Sequence, residues 1–114
     1  GAMFIATNAD PSFPGADGLL PGAGAILASI EVASGRLAEV MGKPNPAMMQ
    51  AAARRLEGCE SIAAIGDQPI TDLAGARLQG WATILVLSGV TTTADVESLD
   101  PRPDYVLDSI SDLT

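Results

Sequence analysis

The feature that most limits the fold is a series of short apolar segments, each broken by a glycine or a polar turn and followed by a helical pattern. Leu37–Met41, Ser61–Gly66 and Trp81–Leu87 read as strands, and the last is continuously apolar and rich in Ile, Leu and Val. Between the first two, Pro46 opens a helix in which Met49, Ala52, Ala53 and Leu56 fall on one face. Between the second and third, Asp72–Gln79 is a shorter helix with a small inner face, Gly75 and Ala76, stopped by Gly80. Strands that alternate with helices and are apolar on both sides predict an α/β fold, a Rossmann-like parallel sheet with flanking helices.

The flanking segments extend this pattern. Phe4–Thr7 reads as a short buried strand ending at Asn8. The stretch Ala9–Pro21 carries Pro11, Pro14, Pro21, Gly15 and Gly18, which predicts a loop too rich in breakers for a regular element. A loop of that length in a small domain is usually functional. Pro21 is placed to start a helix that runs to about Ser34, with Ile26, Leu27 and Ile30 on one face and Gly35 as its stop. Downstream, a helical turn near Ala94–Leu99, a strand at Tyr105–Leu107 and a turn at Ile110–Leu113 complete the chain.

Charge and composition exclude several classes of chemistry. Acidic residues outnumber basic ones 14 to 6, a net charge of −8, so no basic patch can be assembled for nucleic acid or an anionic membrane. The apolar runs are too short to span a bilayer. No basic segment precedes a long apolar stretch at the N-terminus, where Gly1-Ala2-Met3 reads equally as native sequence or a cleavage scar. The single cysteine, Cys59, rules out an internal disulfide and suits a cytoplasmic location. With no histidine, a Ser-His-Asp or Cys-His site and an imidazole-bound zinc are impossible within the chain. Chemistry must rest on carboxylates, lysine and a hard metal ion.

Two stretches supply those groups. In Ile65-Gly66-Asp67-Gln68-Pro69-Ile70-Thr71-Asp72 an apolar strand runs directly into an aspartate, with a second at a helix start. Ligands of open α/β sheets bind at the carboxyl ends of strands, so Asp67 is placed to hold an oxygen-preferring cation such as Mg²⁺. Thr71 or Asp72 could cap the following helix. Alone, this string is equally well read as loop and cap residues. In Gly42-Lys43-Pro44-Asn45-Pro46 the only lysine of the chain lies just past a strand, where a compact cation can reach a phosphate or a carboxylate. A lone lysine is more often simply solvated; the order Lys43, helix, strand, Asp67, Asp72 is what raises its interest.

That order, strand–Gly-Lys-Pro–helix–strand–Gly-Asp-x-x-x-Thr-Asp–helix, resembles the third and fourth motifs of the haloacid-dehalogenase (HAD) superfamily. Phe4–Asp10 and Asp17–Gly24 resemble the segment in which a large α/β cap returns to the core, as in the subfamily IIA phosphatases acting on 4-nitrophenyl phosphate, phosphoglycolate or pyridoxal phosphate. Gly75-Ala76, Gly80, Leu85–Thr91 and Pro103-Asp104-Tyr105 continue the match. The resemblance implies a Mg²⁺-dependent phosphatase that hydrolyses small phosphate monoesters through an aspartyl-phosphate. In it Lys43 would bind the phosphoryl group and the attacking aspartate, Asp67 would ligate Mg²⁺, and Asp72 would support the site. Gln68, Pro69, Ile70 and Thr71 would line the substrate mouth. Residues 1–21 would be the return from the cap and residues 22–114 the C-terminal half of the core.

The family's nucleophile motif, Asp-x-Asp-Gly-Thr, does not occur in the chain, and Thr7-Asn8 only superficially resembles the second motif. The resemblance therefore covers a C-terminal half whose central strands are missing, and this chain alone is expected to be inactive. Its partners would be a small phosphorylated metabolite and either the N-terminal half of the enzyme or a second copy docked through exposed strands. The alternative is a non-catalytic binding or oligomerisation module derived from the same fold.

Overall fold

The computed structural model describes residues 1–113. In chain order the elements are β1 (Ile5–Ala6), β2 (Ser12–Gly15), β3 (Gly18–Pro21), α1 (Ala23–Ser34), β4 (Glu39–Val40) and α2 (Pro46–Arg55). They continue with β5 (Ala63–Gly66), a π-helical turn (Pro69–Leu73), α3 (Ala74–Leu78), β6 (Ala82–Val86), α4 (Thr93–Val96), β7 (Tyr105–Leu107) and a 3-10 turn (Ile110–Asp112). No helix among the described residues is long and apolar enough to cross a membrane.

The fold is α/β, and every strand pair but one is parallel. The parallel sheet comes in two pieces. β5, β6 and β7 form one, in that order, with Gly66 opposite Leu85 and Val86 opposite Leu107. β1 and β4 form the other, with Ala6 opposite Val40. β4 and β5, which follow each other through α2, are not hydrogen-bonded to each other.

The apolar core sits around β6. Leu85, Leu73 and Ala76 are fully buried, and Val86 and Met49 are nearly so. Met49 packs its side chain against Gly75, where an added Cβ would lie 3.2 Å from its Cε; the small inner face of α3 is therefore what lets α2 approach. Truncating Leu85 or Leu73 to Ala would cost on the order of 2–5 kcal/mol. Outside this cluster the molecule is open. Its accessible surface is 7863 Å², against roughly 5,800 Å² for a compact monomer of this mass. Its radius of gyration is 16.4 Å, against about 13 Å for a compact chain of this length.

Local signals explain most boundaries. Asn45 caps α2, its Oδ1 accepting from the Ala47 N–H at 2.9 Å, and Pro46 occupies the first turn, where a missing N–H costs nothing. Gly35 ends α1 with φ 65°, the left-handed conformation glycine adopts without strain.

Several expectations need correction. Ala9–Pro21 is not a breaker-rich loop: β2 and β3 pair as an antiparallel hairpin, with Pro14 opposite Leu19. Proline is tolerated there because an edge strand can spare an N–H. Pro21 belongs to that hairpin, and α1 starts after Gly22. On α1 only Leu27 is buried; Ile26 and Ile30 are exposed, because the hairpin is too small to cover a wider stripe. Of the methionines read as core filler, Met49 is buried but Met48 is exposed. Trp81 lies just before β6 and is half-buried. β5 and β7 are not covered on both faces, since Ile65, Tyr105 and Val106 are exposed.

Candidate functional site

The carboxyl ends of β4 and β5 open into one cleft of about 740 Å³. Lys43 enters from the turn after β4, and Asp67, Gln68, Thr71 and Asp72 from the segment after β5. The hairpin side contributes Asp10, Ser12 and Phe13. The structure thus brings together the lysine and both aspartates singled out by the sequence. Pro69 and Ile70 lie outside the lining, and the Ile70 side chain is 81% exposed.

Asp72 organises the centre. Its Oδ1 accepts from Lys43 Nζ at 2.5 Å, and its Oδ2 accepts from the Gln68 N–H at 3.1 Å. The carboxylate is 13% exposed and the lysine 44%, so the ammonium reaches the solvent side of the cleft while Asp72 anchors it from behind. An ammonium has three donors, so one bond to Asp72 leaves two for an anion. The expected capping role of Asp72 and Thr71 is corrected by this geometry. Pro69–Leu73 is a π-helical turn running into α3, and Asp72 sits inside it, bonding back to Gln68. π-helical turns occur frequently at functional sites. The Thr71 hydroxyl donates to Gln68 Oε1 at 3.5 Å, a weak contact.

Close backbone approaches fix these positions. A Cβ on Gly66 would fall 2.4 Å from Asp72 Cβ, and one on Gly42 would fall 2.1 Å from the Thr7 carbonyl oxygen. Both glycines of the Gly-Lys and Gly-Asp pairs are therefore required by packing, and neither adopts a positive φ.

Asp67 is held by residues the sequence did not single out for a role. The Val90 N–H donates to Asp67 Oδ2 at 2.8 Å, and the Thr91 hydroxyl donates to the Asp67 carbonyl at 2.6 Å. Their only sequence signal is a Ser-Gly-Val-Thr string just past the third apolar strand, which is where ligand-facing loops of such sheets lie. Among the described residues no three or more His, Cys, Asp or Glu side chains gather to hold a metal. What the donor set fits is a hydrated Mg²⁺ taken through the single hard-oxygen ligand Asp67, an ion that commonly keeps several waters and uses one or two carboxylates.

Comparison with known proteins gives these features a family. The HAD-hydrolase-like family model matches residues 40–113, from β4 through both motifs to the end of the described structure. The chain belongs to the HAD-like hydrolases. Relatives of this HAD-like chain include a dihydroxyacetone phosphatase of Corynebacterium glutamicum, 39% identical over 99% of the chain and 42% of the relative. The ribonucleotide monophosphatase NagD of Escherichia coli is 38% identical, over 99% of the chain and 44% of its own length. Among solved structures, a glycerol phosphate phosphatase of Mycobacterium tuberculosis in complex with magnesium superposes with a TM-score of 0.85 at 36% identity, covering 99% of this chain and 35% of that one. A 4-nitrophenylphosphatase of Thermotoga maritima gives the same TM-score at 36% identity, with 99% and 44% covered. The relatives are phosphatases of subfamily IIA, and the chain spans less than half the length of each.

Proposed function

We propose that this chain is the phosphate- and metal-holding half of a phosphomonoesterase active site, completed by a segment that carries the aspartate nucleophile. The observation that carries the reading is the meeting of Lys43, Asp72 and Asp67 at the ends of β4 and β5, on one open cleft. Phosphoryl transfer depends on positioning and charge neutralisation more than on elaborate covalent machinery.

Lys43, steadied by Asp72, would bind a phosphoryl oxygen with the donors that Asp72 leaves free. Asp67 would hold Mg²⁺, and the bound ion would supply further neutralisation of phosphoryl charge. Gln68 and Thr71 would border the substrate. Magnesium in one solved relative and the phosphorylated substrates named for others support this class of ligand, small phosphate monoesters. The gap between β4 and β5 is the place for the completing strands, and the excess surface fits a core that another segment covers. The lone exposed Cys59 suits a reducing, cytoplasmic setting.

An assay with 4-nitrophenyl phosphate and Mg²⁺ tests this. The chain by itself should give no turnover above buffer, because Lys43 and Asp67 have no nucleophile to serve. Turnover that disappears in Asp67→Ala would mean that the chain holds a complete site and would overturn the proposal.

A further inference from the structure

β5 and β6 are adjacent parallel strands, with Gly66 level with Leu85, so the segments leaving their carboxyl ends run side by side. The segment after β6, Ser88-Gly89-Val90-Thr91, folds over the end of β5 and meets Asp67 at three points. The Val90 N–H donates to Oδ2 at 2.8 Å. The Thr91 hydroxyl donates to the Asp67 carbonyl at 2.6 Å. Gly89 lies flat against the carboxyl group, where a Cβ would come 2.0 Å from Oδ2. Thr91 is 7% exposed, although Ser88, Gly89 and Val90 before it are all exposed. A buried hydroxyl at the end of an otherwise solvated loop must satisfy its hydrogen bond inside the protein, and it does so on the main chain of Asp67.

We propose that Thr91, acting with the Gly89–Val90 backbone, is a positioning residue that fixes the Asp67 carboxylate for a divalent cation. The inference rests on the reading of Asp67 as the metal-holding carboxylate. The loop engages Oδ2, while among the described residues no donor reaches Oδ1. One oxygen is thereby tied to the protein and the other is left without a protein donor on a residue that lines the cleft. The Val90 side chain is 69% exposed and cannot hold the loop in place, so the buried Thr91 is what keeps the Val90 N–H within reach of the carboxylate. Because Gly89 admits no Cβ at this contact, the loop can lie close enough for the amide bond to form. Orienting partners of this kind typically alter metal affinity by about 10–100-fold.

The test measures Mn²⁺ binding to the 114-residue chain through paramagnetic broadening of backbone amide signals. Four variants are compared with the unmodified chain: Asp67→Asn, Thr91→Val, Thr91→Ser and Gly89→Ala. Thermal melts accompany each. Broadening should centre on residues 66–68 and 89–91 and vanish in Asp67→Asn. Thr91→Val should weaken the affinity by about tenfold, and Thr91→Ser, which keeps the hydroxyl, should restore it. Gly89→Ala should weaken it as Thr91→Val does, and it serves if Thr91→Val does not fold. Loss of binding in Asp67→Asn with no change in Thr91→Val or Gly89→Ala would overturn the positioning role alone. Equal loss in Thr91→Ser and Thr91→Val would overturn it too, because the hydroxyl would then be irrelevant. Broadening that survives in Asp67→Asn, or none in the unmodified chain, would overturn the metal reading of Asp67 and this inference with it.

Discussion

Replacing Gly66 by alanine adds one methyl group at the point where β5 hands over to the cleft. The new Cβ would sit 2.4 Å from both the Cβ and the Oδ2 of Asp72. Gly66 has no positive φ, so alanine meets no backbone penalty. On backbone entropy alone the change would stabilise the fold by about 0.4–1 kcal/mol. The contact acts the other way. Asp72 Cβ is fixed to the π-helical turn and cannot swing aside like the tip of a long side chain, so the turn itself must move. Overpacking of this kind costs typically 1–3 kcal/mol, which exceeds the entropy gain, and the net sign is destabilising. The same movement pulls Oδ2 from the Gln68 N–H and Oδ1 from Lys43. Urea unfolding followed by circular dichroism should show Gly66→Ala less stable by about 1–2 kcal/mol, and the Lys43 side-chain ammonium should become more mobile. Gly35→Ala is the control: nothing lies within 4 Å of its Cβ, so its cost comes from φ 65° alone and should leave Lys43 untouched. A Gly66→Ala chain as stable as the parent, with the Lys43–Asp72 pair intact, would refute the reasoning.

Thr83 is fully buried, and its hydroxyl donates to Asp104 Oδ2 at 2.7 Å while accepting from the Asp104 N–H at 3.1 Å. Thr83→Val leaves the Asp104 N–H without a partner and Oδ2 with only the backbone N–H of residue 83, at 2.7 Å, and should cost about 1–3 kcal/mol in the same urea experiment. The bond from the Thr83 hydroxyl, then that from its N–H, holds the Asp104 carboxyl below the ordinary aspartate range. A carboxyl lowered in the folded state adds stability above its unfolded pKa and loses it as pH falls through the folded one. The stability difference between the parent and Asp104→Asn should therefore be constant near neutrality and shrink below about pH 4 in a pH series of melts. The chain should also self-associate, because β4 and β5 each have one strand partner and their apolar surroundings are uncovered; bare apolar edges recruit partners. Light scattering giving a monodisperse monomer at high concentration, with hydrogen-exchange protection across both strands, would contradict this.

How much of this was legible in the sequence depends on whether a feature is local. Tyr105–Leu107 and the strand within Trp81–Leu87 follow from apolar runs between turn residues, and both are found. Lys43 and Asp67 stand out because each is a charged residue just past an apolar segment, and Asp72 because it follows Asp67 at a helix start; strand ends converge in a parallel sheet. The hairpin at Ser12–Pro21 was not legible, because its prolines and glycines read as breakers, while its pairing depends on Gly22 and Gly24 lying against the Asp10 and Ala9 carbonyls. A Cβ on Gly24 would be 2.3 Å from the Ala9 oxygen, a fit invisible in composition. The apolar residues of α1 were legible as a stripe, but which of them is buried was not, since that depends on what covers the helix. Thr91 meets Asp67 across 24 residues, a contact that exists only because β5 and β6 are neighbours.

The central claim is that the cleft between β4 and β5 takes a phosphoryl group on Lys43. A titration of the ¹⁵N-labelled chain with inorganic phosphate tests it most directly, run in parallel on Lys43→Gln. The account predicts saturable shifts at the amides of Gly42, Lys43, Asp67, Gln68, Ile70, Thr71 and Asp72 in the parent chain, and their loss in Lys43→Gln. The same shifts in Lys43→Gln, or shifts confined to another part of the molecule, would contradict it.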